Sequence, residues 1–328
     1  MSCSSTAQGT DPLQFAGKTM GTTYQVTIVR PSSPIVLTTV QSHTDEILAR
    51  INASMSTYQP DSELSRFNRE STTEWVPISS DLYFVVKEAL RVSHLTEGAF
   101  DVSVGPIVDL WGFGPSPRQD TIPSDEAIQA RLESIGYEHL HLQDDPPALR
   151  KDQPTLSVDL SAIAKGYGVD QIAEYLESLH VTNYLIEIGG ELRASGHNAQ
   201  GMPWNVAIEQ PAPTSRRVHQ VLHLDRQGIA TSGDYRNFFE REGTRFSHTM
   251  NPKTGRPVTH KLSSVTVIAE SSMKADALAT ALLVLGPDDG FALAQREQVA
   301  SLFLTIDAEG FHEQATSGFA QYAKSSEL

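Results

Sequence analysis

The stretch SSMKADALATALLVLG (residues 271–286) has the pattern of a packed helix that is interrupted by two polar residues. Asp276 and Thr280 are four residues apart, so they lie one above the other on one helix face. A carboxylate among apolar side chains is costly unless it caps, pairs or binds a cation. The pair is therefore either a helix-terminal Asp with a back-bonding Thr, or part of a site for a hard cation such as Mg²⁺.

The composition is typical of a globular protein, and the charge argues against a nucleic-acid-binding protein. The chain has 328 residues, of which 39% are hydrophobic and 20% charged, and its formal net charge is −15. This acidity argues against nucleic acid as a partner, since phosphate backbones bind basic surfaces. An anionic ligand would have to be met by local cations, a bound metal or backbone N–H groups. No apolar run approaches the roughly 20 residues of a membrane-spanning helix.

The chain has a single cysteine, Cys3, in the opening MSCSSTAQGTDP. One cysteine excludes intrachain disulfides and any chemistry that depends on a cysteine cluster. Residues 1–16 are predicted to be a flexible leader and residues 17–328 the folded part of the chain. Cys3 is either an incidental residue of that leader or the lipid-bearing cysteine of a bacterial lipoprotein.

Helical and strand patterns mix along the chain without a regular βαβ period. This favours an α+β fold with mixed sheets, as one large unit or two interleaved subdomains. The predicted helices are 36–55, 81–97, 124–136, 163–179 and 271–286, and the predicted strands are 21–30, 155–160, 203–211, 218–224, 263–270 and 301–308, with a hairpin over 183–196. Residues 56–68 and 98–120 are predicted loops.

Several stretches outside 271–286 could carry chemistry. In VDLSAIAKGYGVD (158–170), Gly166 and Gly168 at a helix start suggest a close approach to the backbone, and Lys165 would suit a phosphate. The alternative is an ordinary capped helix, since neither a Walker motif nor G-x-G-x-x-G is present. His248, before the NPKTG turn, is either a catalytic base or a structural hydrogen bonder. Tyr58 and Phe100–Asp101 either line a ring-binding pocket or cover a core edge.

Taken together, seven motifs resemble the ApbE-type FAD:protein FMN transferases. They occur in the family's order: TMGTTY (19–24), MSTYQPDSELSRFN (55–68), GAFDVSVGPIVDLWGFG (98–114), VDLSAIAKGYGVD (158–170), IGGELRASG (188–196), SHTMNPKTGRP (247–257) and MKADALATALLVLG (273–286). The resemblance implies a Mg²⁺-dependent enzyme that splits FAD and transfers FMN to a threonine or serine hydroxyl of a target protein, releasing AMP. It also implies a flavin site between the subdomains.

The resemblance assigns roles to individual residues. The implied metal ligands are Asp276, Thr280 and the backbone carbonyl of Ala162, and the implied base is His248. Ala279 stands where some relatives carry a further acid, which argues against a second tightly held metal. The implied FAD contacts are Met20, Tyr58, Ala99, Phe100, Asp101, Asp159, Lys165 and Met250.

The resemblance also predicts partners and a compartment. We expect flavin-accepting target proteins, membrane-bound or periplasmic redox subunits, modified at a site like Ser/Thr-Gly-Ala-Thr. We expect the bacterial periplasm, with attachment to the inner membrane only through a lipid on Cys3. Two alternatives stay open: an FAD pyrophosphatase that releases FMN and AMP with water, and a non-catalytic FAD-binding protein.

Overall fold

The computed structural model describes residues 11–116, 121–211, 217–234, 237–241, 244–307 and 310–323. The helices are α1 (Leu37–Met55), α2 (Glu63–Arg69), α3 (Ser80–Leu95), α4 (Gly105–Leu110), α5 (Asp125–Leu132), α6 (Ala164–Ser178) and α7 (Ser272–Arg296). The strands are β1 (Leu13–Thr19), β2 (Thr22–Ile28), β3 (Val76–Pro77), β4 (Leu140–Gln143), β5 (Ala148–Lys151), β6 (Tyr184–Ile188), β7 (Glu191–Ser195), β8 (Trp204–Glu209), β9 (Val218–Leu224), β10 (Gln227–Gly233), β11 (Phe238–Arg241), β12 (Thr244–Ser247), β13 (Met250–Asn251), β14 (Arg256–Pro257), β15 (Leu262–Ala269), β16 (Ala300–Asp307) and β17 (Gly310–Ala315). The predicted α+β class is confirmed.

The largest sheet has the strand order β1-β2-β6-β7-β10-β15-β16-β17, and every neighbouring pair is antiparallel. Helices α1, α3, α6 and α7 contribute to the apolar cores on one face, whereas the β8–β9 hairpin covers part of the other face. The central strand β15 is therefore buried on both faces: Val265 and Val267 pack in the core with the helices, and Ile268 packs under the β8–β9 hairpin. The predicted hairpin at the Gly189–Gly190 turn is confirmed as β6–β7.

Helix α7 runs through the main core, and its apolar residues pack there as predicted. Its regular part ends at Gly286, whose φ of +86° favours glycine, and Pro287 follows. By length and hydropathy α7 could cross a membrane, contrary to the expectation from the sequence. Most of its residues are buried inside the fold, which is typical of a core helix.

Four of the predicted segments differ from the structure. The predicted leader ends too late, because residues 13–16 belong to β1, and Cys3 lies outside the described residues. The predicted loops 56–68 and 98–120 contain the short helices α2 and α4. The strand predicted at 155–160 is wrong.

The wrong strand has a local explanation. The N–H of Val158 donates to the side chain of Asn68 at 2.7 Å, and the N–H of Asp159 donates to the carbonyl of Val102 at 2.7 Å. The extended segment therefore satisfies its backbone through loops instead of a strand partner.

Candidate active site

A cavity of about 430 Å³ opens between the start of α6, the second turn of α7, the 98–104 loop and the β11–β12 hairpin. It brings together eleven of the twelve residues singled out from the sequence: Tyr58, Ala99, Phe100, Asp101, Asp159, Ala162, Lys165, His248, Met250, Asp276 and Thr280. The twelfth, Met20, lines a cavity of about 870 Å³ that shares Tyr58, Ser161 and Lys165 with the first. The two cavities therefore form one continuous cleft.

Helices α6 and α7 are fastened together at this cleft by two hydrogen-bonded contacts, which we call the α6–α7 clasp. In one, Asp276 Oδ2 accepts the backbone N–H of Gly166 at 3.1 Å. In the other, the Asp170 carboxylate accepts the N–H groups of Ser272 and Met273 at 2.9 and 2.8 Å. In each contact a carboxylate on one helix accepts free N–H groups at the N-terminus of the other helix. The helix dipole favours negative charge at this end.

The glycine in the clasp is required by the distance between the helices. A Cβ at Gly166 would lie 2.4 Å from the carbonyl oxygen of Ser272 and 2.6 Å from Cα of Met273. The close approach that the sequence predicted for Gly166 is therefore the backbone of α7. A Cβ at Gly168 would lie 3.2 Å from Cε of Met20, so Gly168 leaves room for a side chain of the cleft.

Three charged groups meet beside the clasp. Lys165 Nζ lies 3.3 Å from Glu191 Oε1 and 3.6 Å from Asp276 Oδ2, and both carboxylates are almost completely buried, at 5% and 3% exposure. We call these residues the charge cluster. Two carboxylates therefore share one ammonium in a place where water is largely excluded.

The electrostatics of the charge cluster follow from burial. Desolvation raises the pKa of Asp276, and the charge of Lys165 opposes this. Desolvation also raises the pKa of Glu191, with Lys165 opposing and Asp276 adding to the shift. Burial lowers the pKa of Lys165, but the two carboxylates outweigh burial and raise it, so the ammonium stays charged. The cluster therefore favours additional positive charge.

Sequence reasoning missed Glu191. It follows the Gly-Gly turn directly and pairs across the hairpin with Ile188, whose side chain faces the core. Directly opposed residues of an antiparallel pair point to the same face of the sheet, so Glu191 also faces inward. A carboxylate on the core-facing side of a predicted hairpin is unusual, and this feature of the sequence could have identified Glu191.

The oxygen atoms near Asp276 fit a magnesium site. The Thr280 and Ser232 hydroxyl oxygens lie 3.0 Å apart, and Ala162 lines the same cavity. In a regular helix the N–H of Gly166 would bond to the carbonyl of Ala162, but here it donates to Asp276. Among the described residues no three His, Cys, Asp or Glu side chains form a metal-binding group. Mg²⁺ suits such a sparse set, since it usually takes one or two protein carboxylates and completes its shell with water and phosphate.

His248 lies at the base of the β11–β12 hairpin. Its backbone N–H donates to the carbonyl oxygen of Asn237 at 3.1 Å, and its ring Nδ1 lies 3.1 Å from the same oxygen. Since a carbonyl only accepts, Nδ1 carries the hydrogen and Nε2 keeps its lone pair. Burial lowers the pKa of His248, the bond to Asn237 opposes this, and the charge of Lys165 lowers it further. The geometry and charge therefore favour a neutral imidazole.

Four aromatic rings support the hairpin, and we call them the aromatic stack. Phe246 stacks on Trp111 and on Phe239, with centroids 5.5 and 5.1 Å apart, and Phe239 stacks on Phe113 at 5.7 Å. Phe113 in turn meets the His248 ring at 6.3 Å with a tilt of 63°. Sequence reasoning did not predict this stack, because its members come from separate stretches that meet only in the fold.

Two further predicted FAD contacts, Asp101 and Asp159, form hydrogen bonds within the protein. The buried Asp101 carboxylate accepts hydrogen bonds from the N–H and hydroxyl of Ser103 and from the N–H of Tyr137. Burial raises the pKa of Asp101 despite these bonds. Asp159 accepts the N–H of Ser161 at 2.8 Å and lines the cavity from an adjacent turn. Both acids thus shape the loops that form the cleft wall.

Two residues do not contribute to the cleft. Arg256, which follows His248 closely in the sequence, pairs with Asp125 at the start of α5. Ala279, where some relatives carry an acid, is fully buried in the main core at 0% exposure. Tyr58, in contrast, is 64% exposed and lines both cavities. It stands at their junction.

Comparison with known proteins gives a consistent result. The sequence model of the ApbE family matches residues 20–303. A protein of Vibrio cholerae named FAD:protein FMN transferase is 46% identical over 312 residues, covering 95% of this chain and 93% of that protein. The structure of the flavin transferase ApbE from Vibrio cholerae matches with a TM-score of 0.89 and 45% identity, over 95% of this chain and 99% of that one. The apo structure of the Pseudomonas stutzeri flavinyl transferase ApbE matches with a TM-score of 0.87 and 40% identity, over 95% and 96%.

Proposed function

The chain belongs to the ApbE family and is an FAD:protein FMN transferase, and from this premise we propose that the cleft between the charge cluster and His248 is its active site. The observation that carries the proposal is that one cavity is lined both by the charge cluster and by His248, whose Nδ1 is held by the carbonyl oxygen of Asn237. The acceptor hydroxyl attacks the FAD phosphorus nearer riboflavin, and the bond from this phosphorus to the bridging oxygen breaks. AMP leaves, and FMN stays on the target through a phosphoester.

Asp276, Thr280 and the carbonyl of Ala162 would hold Mg²⁺, which would neutralise charge on the phosphoryl oxygens of bound FAD. Lys165 adds a permanent positive charge at the junction of the two cavities. This local charge explains how a chain of net charge −15 can bind a dinucleotide with two phosphates. The joined cavities support an extended FAD, with its phosphates at Lys165 and its two halves on either side.

His248 acts as the base. A threonine hydroxyl is a weak nucleophile until a base accepts its proton. The carbonyl of Asn237 holds the hydrogen on Nδ1, so Nε2 accepts the acceptor's proton. The lowered pKa keeps the imidazole neutral near pH 7 and ready for this transfer.

The direct test is intact-mass spectrometry of a small acceptor domain with a Ser/Thr-Gly-Ala-Thr-like site, incubated with the chain, FAD and Mg²⁺. A mass gain of one FMN, abolished by EDTA and by replacing the acceptor threonine with alanine, supports the proposal. AMP release without labelling would instead indicate the FAD pyrophosphatase. FAD binding with neither product would indicate a flavin-binding protein.

The natural targets and the location are part of the same proposal. Membrane-bound or periplasmic redox subunits are the proposed acceptors, and a lipid on Cys3 is the proposed anchor in the periplasm. The position of the sole cysteine and the family resemblance support this. Labelling of cells with a radioactive fatty acid should mark the wild-type chain and not Cys3→Ser, and an unlabelled wild-type chain would contradict the anchor.

A further inference from the structure

Lys165 has two carboxylate partners that lie on different elements. Asp276 reaches it from α7 and Glu191 from the start of β7, at 3.6 and 3.3 Å from Nζ. Lys165 Nζ also donates to the carbonyl oxygen of Ser161 at 3.4 Å. The second oxygen of Glu191, Oε2, is buried and has no hydrogen-bond partner among the described residues. Glu191 thus has unused capacity to bind a cationic group.

The position of Lys165 creates a competition at Asp276. The ammonium pairs with the same carboxylate that the proposed metal site requires, and Oδ2 of that carboxylate also accepts the N–H of Gly166. A divalent cation at Asp276 repels the ammonium. An ammonium without a partner in buried surroundings is costly, so its displacement would oppose metal binding unless another anion retains it.

We propose that Glu191 is a positioning residue that retains Lys165 when Asp276 binds a divalent cation. The inference rests on the proposed metal site. Asp276 then exchanges the ammonium for the metal while Lys165 stays in the cleft, beside the phosphates of FAD. Glu191 acts through Lys165 and makes no contact with the metal in this arrangement.

The consequence is a specific pattern of metal affinities. Mn²⁺, which replaces Mg²⁺ in oxygen-ligand sites, is titrated into the full chain without FAD, and free Mn²⁺ is followed by electron paramagnetic resonance. Glu191→Gln should weaken binding about tenfold, the lower end of the range for residues that orient metal ligands. Lys165→Met should bind Mn²⁺ at least as tightly as the wild type, because the competing ammonium is gone. In the Lys165→Met background, Glu191→Gln should change the affinity less than about threefold.

Glu187→Gln is the matched control. Glu187 lies on the other strand of the same hairpin, its side chain faces the opposite side of the sheet, and the substitution removes the same charge. Its Mn²⁺ affinity should stay close to that of the wild type. Thermal unfolding checks that each variant is folded, and Glu191→Ala replaces Glu191→Gln in the cycle if the latter does not fold.

Two results overturn the inference. An equal loss of Mn²⁺ affinity on Glu191→Gln in both backgrounds would mean that Glu191 acts on the metal directly. An unchanged affinity in the wild-type background would mean that Lys165 does not need Glu191. If the wild-type chain itself fails to bind Mn²⁺, the metal assignment under the proposed function fails first, and the inference falls with it.

Discussion

The two sides of the cleft are held in place by different forces. The metal side, which contains the proposed metal site at the α6–α7 clasp, belongs to the main apolar core and is fixed by buried carboxylates that bind backbone N–H groups. The base side, which contains the proposed base at the β11–β12 hairpin, packs on a smaller separate cluster and is fixed by the aromatic stack and one carbonyl. On the metal side, the contacts that shape the site also stabilise the main core. On the base side, activity can be lost while the fold persists.

The largest effect is expected at the metal side. Asp276→Ala should lower Mg²⁺-dependent AMP release by at least about 10³-fold, because the carboxylate of the cation site is gone. The helix should persist, since Asp170 still binds the α7 N-terminus. Turnover is measured against Mg²⁺ concentration, with Asp288→Ala, on an exposed turn of the same helix, as the control. Unchanged turnover in Asp276→Ala would remove the metal assignment.

The next effect tests the base side. His248→Gln should lower the rate of FMN transfer by about 10²–10⁴-fold, the usual range for loss of a general base. FAD affinity, measured by quenching of flavin fluorescence, should change little, and the exposed His180→Gln serves as the control. A fully active His248→Gln would dismiss His248 as the base.

Asp170→Asn tests whether the clasp carries stability. Asp170 is buried and also pairs with Arg193 at 2.9 Å, so the amide would weaken several charge-assisted bonds at once. We expect the free energy of unfolding in urea to fall by about 2–3 kcal/mol. A loss below about 0.5 kcal/mol would mean that the clasp is not a main source of stability.

Phe239→Leu is the counterpart on the base side. It opens the aromatic stack without touching His248, so the imidazole should lose part of its orientation. We expect kcat to fall about tenfold, while the free energy of unfolding falls by about 1 kcal/mol. If stability fell more than in Asp170→Asn while kcat stayed constant, the contrast between the two sides would be wrong.

The smallest effect concerns pH. His248 has to be neutral to accept a proton, and its pKa is lowered below the usual 6.5. As pH rises, kcat/KM should therefore increase and level off with a midpoint below 6.5. Lys165→Met removes a positive charge that contributes to the lowering, so the midpoint should move to higher pH. A midpoint above 6.5 in the wild type would contradict this assignment.

The features of the fold and site that could be predicted from the sequence depend on residues close together in the chain. The Asp276–Thr280 pair and the Gly-Gly hairpin depend on neighbours in the sequence, and the structure places the pair on the cleft. The strand predicted at 155–160 failed because the partners of its backbone, Asn68 and Val102, are remote in sequence. Asp170 and the aromatic stack escaped prediction for the same reason. Their roles arise from contacts between elements that periodicity does not encode.

The acceptor that orients the His248 imidazole is a main-chain oxygen. Every amino acid offers that oxygen, so no missense change in codon 237 deletes it. The heritable ways to lose it are changes that move the chain itself, such as an insertion or deletion between residues 237 and 248. Mutational scanning would then find that position 237 tolerates substitution whereas position 248 does not. Substitutions alone would therefore never show that the main-chain oxygen of residue 237 orients the imidazole.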